Sequence, residues 1–215
     1  MGLSALGGLP DNATSPLPAP DMPLIRLLIV LMALSGIGPG HASSEEAPKA
    51  ALEEARKASA ELVTSVRSEL VKAIEASGPL RAIVVCKYTV PEIASAVSRK
   101  YGARVTRVSL TPRNPSLGWG DAWEQKVLMG FEERVAKGEK GEGMEHHEVL
   151  TEPSGKFLRY MRVLPMMPVC THCHGPADQI SEPIRSQLAH DYPHDKAIGV
   201  AVGKVRGAVT FKKPL

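Results

Sequence analysis

The chain has 215 residues, of which 43% are hydrophobic and only 4% aromatic, and its formal net charge at pH 7 is +3. This length predicts one domain with accessory segments. The charge is mild and no clustered basic stripe is present, which argues against a nucleic-acid partner.

The N-terminal segment has the pattern of an export signal. A short basic region, Met22 to Arg26, precedes an apolar stretch from Leu27 to Ile37, and small residues follow at Gly40-His41-Ala42. This order is typical of a cleaved signal peptide, and the apolar stretch is shorter than the ~20 residues a membrane span needs. We therefore predict a signal peptide over 1–42, translation starting at Met22, and a periplasmic protein; an uncleaved signal anchor is the alternative.

After the signal, a long helix is predicted from Glu45 to Ser77. Leu62, Val66, Leu70 and Ile74 recur every four residues between charges, and Gly78-Pro79 ends the pattern. All nine aromatic residues come later, between Tyr88 and Phe211. The chain is therefore divided into an N-terminal helical segment, 43–79, and a core domain, 80–215. The helix either lies on that core or pairs with a second copy as a homodimer.

The core domain is predicted to be α+β, with an antiparallel sheet and flanking helices. Strands are predicted, in chain order, at "RAIVVCKYTV", "ARVTRVSL", "MEHHEVL", "KFLRYMRVL", "AIGVAVG" and "GAVTF", the last two forming a hairpin across Lys204-Val205-Arg206. Helices are predicted from Pro91 to Lys100, from a capping box at Asp121 and Glu124 to just before Gly138, and from Ile180 to Ala189. The segment "TPRNPSLGWG" between them is predicted to be a loop.

The motif "CTHCH" combines Cys170, Cys173 and His174. A C-x-x-C pair serves redox dithiols, zinc cages and c-type haem, and a histidine directly after the second cysteine is typical of haem attachment. A zinc cage needs two further ligands with similar local spacing, and a thioredoxin-like site does not need the histidine. We therefore predict one covalently attached haem c, while a redox dithiol, zinc or a chance pattern stay open.

Cys86 is the one remaining cysteine. Haem attachment through the other two would leave it unpaired in an exported protein, which calls for an explanation. It is either an inert residue of a buried strand or the sixth ligand of the haem iron. The residues alone leave both interpretations open.

Four stretches taken together resemble the PAS-like c-type haem family of the Tll type. They are "VVCKYTVPEIA", "RVSLTPRNPSLGWGDAWE", "CTHCHG" and "DKAIGVAVGKVRGAVTF", and the resemblance covers roughly 45–215. It implies a PAS-like fold, with His174 as proximal and Cys86 as distal iron ligand. Because haem carries two propionates and an arginine fork pairs well with carboxylates, Arg113 becomes a candidate propionate partner or loop brace; an ordinary surface charge is the alternative.

Other metal-binding residue types in the chain have simpler explanations. Met166 and Met167 lie too close to Cys170 to reach the other haem face and are predicted to fill the core or loop. His146 and His147 are adjacent on a predicted strand and therefore point to opposite faces. His172 is predicted to face solvent inside the motif.

These residues favour a haem-binding protein that senses redox state or a small gas such as NO or CO. A thiolate ligand stabilises ferric iron, and it could leave on reduction and open a site for the gas. A small electron-transfer cytochrome is the alternative. An enzyme is not expected, because two protein ligands leave no open iron position. Any signal must pass to a partner protein, because the chain contains no kinase, cyclase or DNA-binding segment.

Overall fold

The computed structural model describes residues 46–215 as an α+β unit around one antiparallel sheet. The predicted signal peptide therefore lies outside the described residues. The helices are α1 (Lys49–Ser77), α2 (Pro79–Val84), α3 (Val90–Tyr101), α4 (Pro115–Gly118), α5 (Ala122–Ala136), α6 (Thr171–His174) and α7 (Glu182–Asp191). The strands are β1 (Arg104–Val108), β2 (Glu145–Glu152), β3 (Gly155–Pro165) and β4 (Val205–Pro214). None of these helices is long and apolar enough to cross a bilayer.

The long helix α1 confirms the predicted N-terminal helix and ends at the predicted residue. The chain changes direction directly after α1 at Gly78, which has a φ of 76°, a positive value that glycine adopts without strain. One face of α1, including the fully buried Leu62, packs against Val209 and Phe211 of β4. Burial of a leucine side chain stabilises the fold by about 1.5–3 kcal/mol. The helix therefore belongs to the same hydrophobic core as the sheet.

The segment around Cys86 is helical, so the predicted strand there is wrong. A π-helical turn, Val85–Thr89, joins α2 to α3, and the Val90 amide donates to the Val85 carbonyl five residues back. A proline within a helix removes one amide and crowds the carbonyl four residues earlier, and Pro91 would crowd Lys87 in this way. The wider π turn relieves that contact. A short apolar run has the same appearance in a buried helix as in a strand, which explains the error.

The sheet has four strands in the order β1-β4-β3-β2, all antiparallel neighbours. The predicted strands at "MEHHEVL" and "KFLRYMRVL" are present as β2 and β3, which form a hairpin that turns at Glu152–Gly155. The predicted hairpin within 197–211 is wrong, because 197–204 is irregular and only β4 forms there. Gly199 and Gly203 have φ values of 85° and 84°, which a strand does not accommodate.

Helix α5 begins with the predicted capping box. The Glu124 amide donates to Asp121 Oδ1 at 2.9 Å, and the Asp121 amide donates to Glu124 Oε2 at 2.8 Å. Further along α5, Val127 and Phe131 are buried in a second apolar cluster that includes Met161 of β3. The predicted loop 111–120 contains only the single helical turn α4. The α+β prediction, with its antiparallel sheet and long N-terminal helix, is confirmed.

Candidate functional site

The two cysteines of the motif lie on a short helical turn that follows β3. A 3₁₀ turn, Pro168–Cys170, leads directly into α6, where both cysteines are unpaired and half-buried. Positions three apart on a helix share one face, so the two thiols are presented together. A Cβ at Gly175 would lie 2.7 Å from the Thr171 carbonyl oxygen, so glycine lets the chain leave the turn directly after His174.

His174 is held by one strong hydrogen bond. Its Nδ1 lies 2.8 Å from the Ala197 carbonyl oxygen, which can only accept, so Nδ1 carries the proton. Its Nε2 has no hydrogen-bond partner among residues 46–215 and keeps its lone pair. Burial, followed by the charges of Arg206 and Arg113, lowers the pKa of His174 well below its ordinary value. The ring is therefore neutral, which is the form that binds metals.

Arg113 braces the motif from the loop after β1. Its Nη2 donates to the Cys173 carbonyl and lies 3.1 Å from His174 Nδ1. Its Nε forms an ion pair with Asp195 Oδ2 at 3.0 Å, and the two side chains are only 11% and 8% exposed. Asp195 Oδ1 also accepts from the Ala197 amide at 2.7 Å. These contacts match the loop-bracing alternative, whereas a propionate contact of Arg113 stays a prediction.

The structure brings Cys86 to the motif. Ile83, one helical turn before it, packs in an apolar cluster against which Cys173 also lies. Burial, and to a smaller extent the nearby thiol of Cys86, raises the pKa of Cys173. Lys87, the residue after Cys86, forms a 2.6 Å ion pair with Asp191 of α7 and so fixes the π turn to the motif side of the fold.

Two further arginines, Arg107 and Arg206, also act on this site. The charges of Arg107 and Arg206 both lower the pKa of His174. Burial, then the charges of Arg113 and Arg107, lowers the pKa of Arg206 itself to about 10. Arg206 lies in the "GKVRGA" ending that supports the family resemblance, and this was the available signal for it.

Large apolar side chains stay exposed in the segments that carry or contact these residues. They are Tyr88 in the π turn, Met167 and Val169 before Cys170, and Ile198 and Val202 in the loop that contacts the motif. That loop is tied to the motif because the Val200 amide donates to the His174 carbonyl at 2.9 Å. These side chains leave exposed apolar surface in the segments next to the motif.

The remaining metal-binding residue types lie elsewhere or are otherwise engaged. Met166 is buried, as predicted for a core residue. His146 Nε2 lies 2.7 Å from Glu148 Oε1, and the exposed His172 has its Nδ1 3.0 Å from the Val169 carbonyl. No group of three or more histidine, cysteine or acidic side chains converges as a metal site within the described part of the chain.

Comparison with known proteins gives two matches. The Tll0287-like family model (Tll0287) matches residues 44–214. The crystal structure of the cyanobacterial heme-protein Tll0287 superposes with a TM-score of 0.59 at 21% identity, covering 78% of this chain and 97% of that one. This likeness confirms the predicted fold. No curated protein matches the chain.

Proposed function

Because the chain belongs to the Tll0287-like family, we propose that it is an exported protein that binds one haem c and senses redox state or a small gas. Cys170 and Cys173 would form the two thioethers, and His174 would be the proximal iron ligand. The hydrogen bond from His174 Nδ1 to the Ala197 carbonyl supports this most directly, since it leaves Nε2 deprotonated on the residue that follows Cys173.

The residues around the motif fit such a group. Exposed apolar side chains in the segments next to the motif suit a large apolar ligand; they are Tyr88, Met167, Val169, Ile198 and Val202. The positive charges of the surrounding arginines suit its two carboxylates. The structural neighbour Tll0287 is a heme-protein by name, which agrees with this fit. Bound haem would supply an iron that changes its charge by one electron.

We assign Cys86 the role of second, distal ligand. It lies near Cys173, on a helical turn fixed to α7 by the pair of Lys87 and Asp191. As a thiolate it favours ferric iron and lowers the reduction potential. On reduction of such an iron by a partner protein, Cys86 would be the ligand that could take a proton and leave, which would make a position available to NO or CO.

Covalent attachment is tested by replacing both motif cysteines with alanine. The protein, expressed in a host with haem-maturation machinery, is expected to keep its haem stain in denaturing gels and in acid-acetone. The Cys170→Ala, Cys173→Ala double variant is expected to lose the stain, and Cys86→Ser serves as the matched control that keeps it. Haem retained in the double variant would refute the attachment.

The sensor and electron-carrier alternatives differ in the reduced state. CO added to reduced protein is expected to shift the Soret band, because Cys86 leaves the iron. Cys86→Ser is expected to turn the oxidised iron high-spin and raise its potential, with the fold intact by far-UV circular dichroism. A reduced spectrum unaltered by CO favours simple electron transfer, and an unaltered Cys86→Ser spectrum removes Cys86 from the ligand set.

Export is tested on the same preparation. Intact mass of the periplasmic fraction is expected to show a mature chain beginning near Ser43. A full-length chain retained in the membrane fraction would instead support the signal anchor.

A further inference from the structure

Two arginines next to the motif have no carboxylate partner. Arg206 Nη1 makes only long hydrogen bonds, to Ser109 Oγ at 3.3 Å and the Thr111 carbonyl at 3.4 Å, and its buried Nε has no partner among residues 46–215. Arg107 is half-buried and makes no hydrogen bond or ion pair within the same residues. By contrast, Arg104 and Arg159 lie against the buried carboxylate of Glu124.

Local contacts place the Arg206 guanidinium beside the motif, and Arg107 lies on the adjacent strand β1, where it pairs with Val209 of β4. Ser109 Oγ donates to the Arg206 carbonyl at 3.0 Å, which fixes the start of β4 against the loop after β1. Arg206 reaches the Thr111 carbonyl in that loop, two residues before the Arg113 that contacts Cys173. Arg107 stands two residues before Ser109, at the end of β1.

The charges here are unbalanced. Asp195 is already paired with Arg113 at 3.0 Å, and neither Arg107 nor Arg206 has an ion pair with a carboxylate among residues 46–215. Buried like charges repel one another, and an unpaired buried arginine carries a desolvation cost. An anionic ligand with two carboxylates would balance Arg107 and Arg206 and would use the planar donor fork of each.

We propose that Arg107 and Arg206 bind the two propionates of the haem, while Arg113 acts as a positioning residue that holds the motif backbone. This assignment rests on the proposed haem-binding function. It names the residues that hold the acidic edge of the group, whereas the cysteines and His174 hold its vinyl side and its iron. It also implies that the positive charges of Arg107 and Arg206 raise the reduction potential of the haem iron, whereas the Cys86 thiolate lowers it.

The test uses the haem-loaded full chain and four variants: Arg107→Gln, Arg206→Gln, Arg206→Lys and, as control, Arg99→Gln. Arg99 is exposed on α3, and within 46–215 its single hydrogen bond is to Ser95 Oγ, at 2.6 Å, so the control loses the same charge away from the motif. The readouts are the propionate bending bands in resonance Raman spectra and the midpoint potential at fixed ionic strength.

Both glutamine variants are expected to shift a propionate band and lower the midpoint potential, because a positive charge near the iron is lost. Arg206→Lys is expected to shift the band while keeping the potential close to wild type, since it retains the charge but not the fork. If Arg206 had only a structural role, Arg206→Lys would not shift the propionate band while leaving the midpoint potential unchanged. Far-UV circular dichroism identifies any variant that fails to fold, and Arg107→Gln and Arg206→Lys then still decide the proposal.

Failure of this assignment is distinguishable from failure of the haem proposal. Wild-type protein without covalent haem would overturn the proposed function itself. Covalent haem in all variants, with bands and potentials equal to those of Arg99→Gln, would overturn only the propionate assignment.

Discussion

Asparagine in place of Asp195 would test how strongly the Arg113 ion pair holds the motif. The two side chains are 8% and 11% exposed, and Asp195 Oδ2 lies 3.0 Å from Arg113 Nε. Asparagine has the same shape, and its Oδ1 can still accept from the Ala197 amide. The substitution therefore removes the charge while the loop keeps its hydrogen bond.

Breaking a buried ion pair from one side costs about 3–5 kcal/mol, since the other charge stays buried and unpaired. Because the hydrogen bond to Ala197 is retained, Asp195→Asn is expected to lower the unfolding free energy by about 3 kcal/mol, the lower end of this range. The exposed Asp178 provides the matched control, because Asp178→Asn changes the same charge at the surface. A surface substitution of this kind is expected to stay within about 0.5 kcal/mol.

Urea unfolding followed by far-UV circular dichroism measures both variants. Adding Arg113→Gln completes a double-mutant cycle, in which contacting residues show a coupling of about 0.5–3 kcal/mol. We expect Asp195→Asn to cost much less in the Arg113→Gln background than in wild type. Equal costs in the two backgrounds, or a cost no larger than that of Asp178→Asn, would refute the reasoning.

Two further predictions concern the sheet. Gly207→Ala is expected to lose roughly 1–3 kcal/mol of unfolding free energy, because the added Cβ would lie 2.5 Å from the Val108 carbonyl oxygen. Gly130→Ala in helix α5, where an added Cβ would meet no atom within 4 Å, is expected to gain about 0.5–1 kcal/mol in the same urea assay. Hydrogen bonding to Arg56 lowers the pKa of Glu145 below its ordinary 4.5 in the folded state. The carboxylate therefore contributes to the unfolding free energy above the ordinary pKa of 4.5, and this contribution is lost as the pH falls through the lower pKa of the folded state. Wild type is therefore expected to exceed Glu145→Gln in unfolding free energy at pH 7 and to lose that advantage in acid; a pH-independent difference would contradict this.

Local sequence signals predicted the helices and the central strands well. The four-residue spacing in α1 marks one buried face, and Asp121 with Glu124 specifies the start of α5 by mutual hydrogen bonds. The polar turn Glu152–Gly155 sets the register of the hairpin. Each of these signals depends on residues close together in the chain, so it can be recognised without the tertiary structure.

Signals that depend on distant contacts were misread or missed. The helical conformation around Cys86 depends on packing against α7 and on Pro91 downstream, which the apolar run itself does not reveal. The segment 197–204 alternates like a strand, but its amides pair with the motif backbone instead of with β4. In the sequence, Arg107 has the appearance of an ordinary polar residue of an alternating strand. It comes near His174 only once the sheet is assembled.

The position of β4 has a consequence for the order of folding. It is the last strand of the described chain, yet it lies between β1 and β3 and supplies Val209 and Phe211 to the core on which α1 packs. Until β4 is available, β1 has no strand neighbour, so the sheet cannot assemble progressively along the chain. Long-range pairing of this kind slows folding. We therefore expect the cysteines of the motif, which precede β4, to remain accessible to a modifying enzyme for as long as the chain is unfinished.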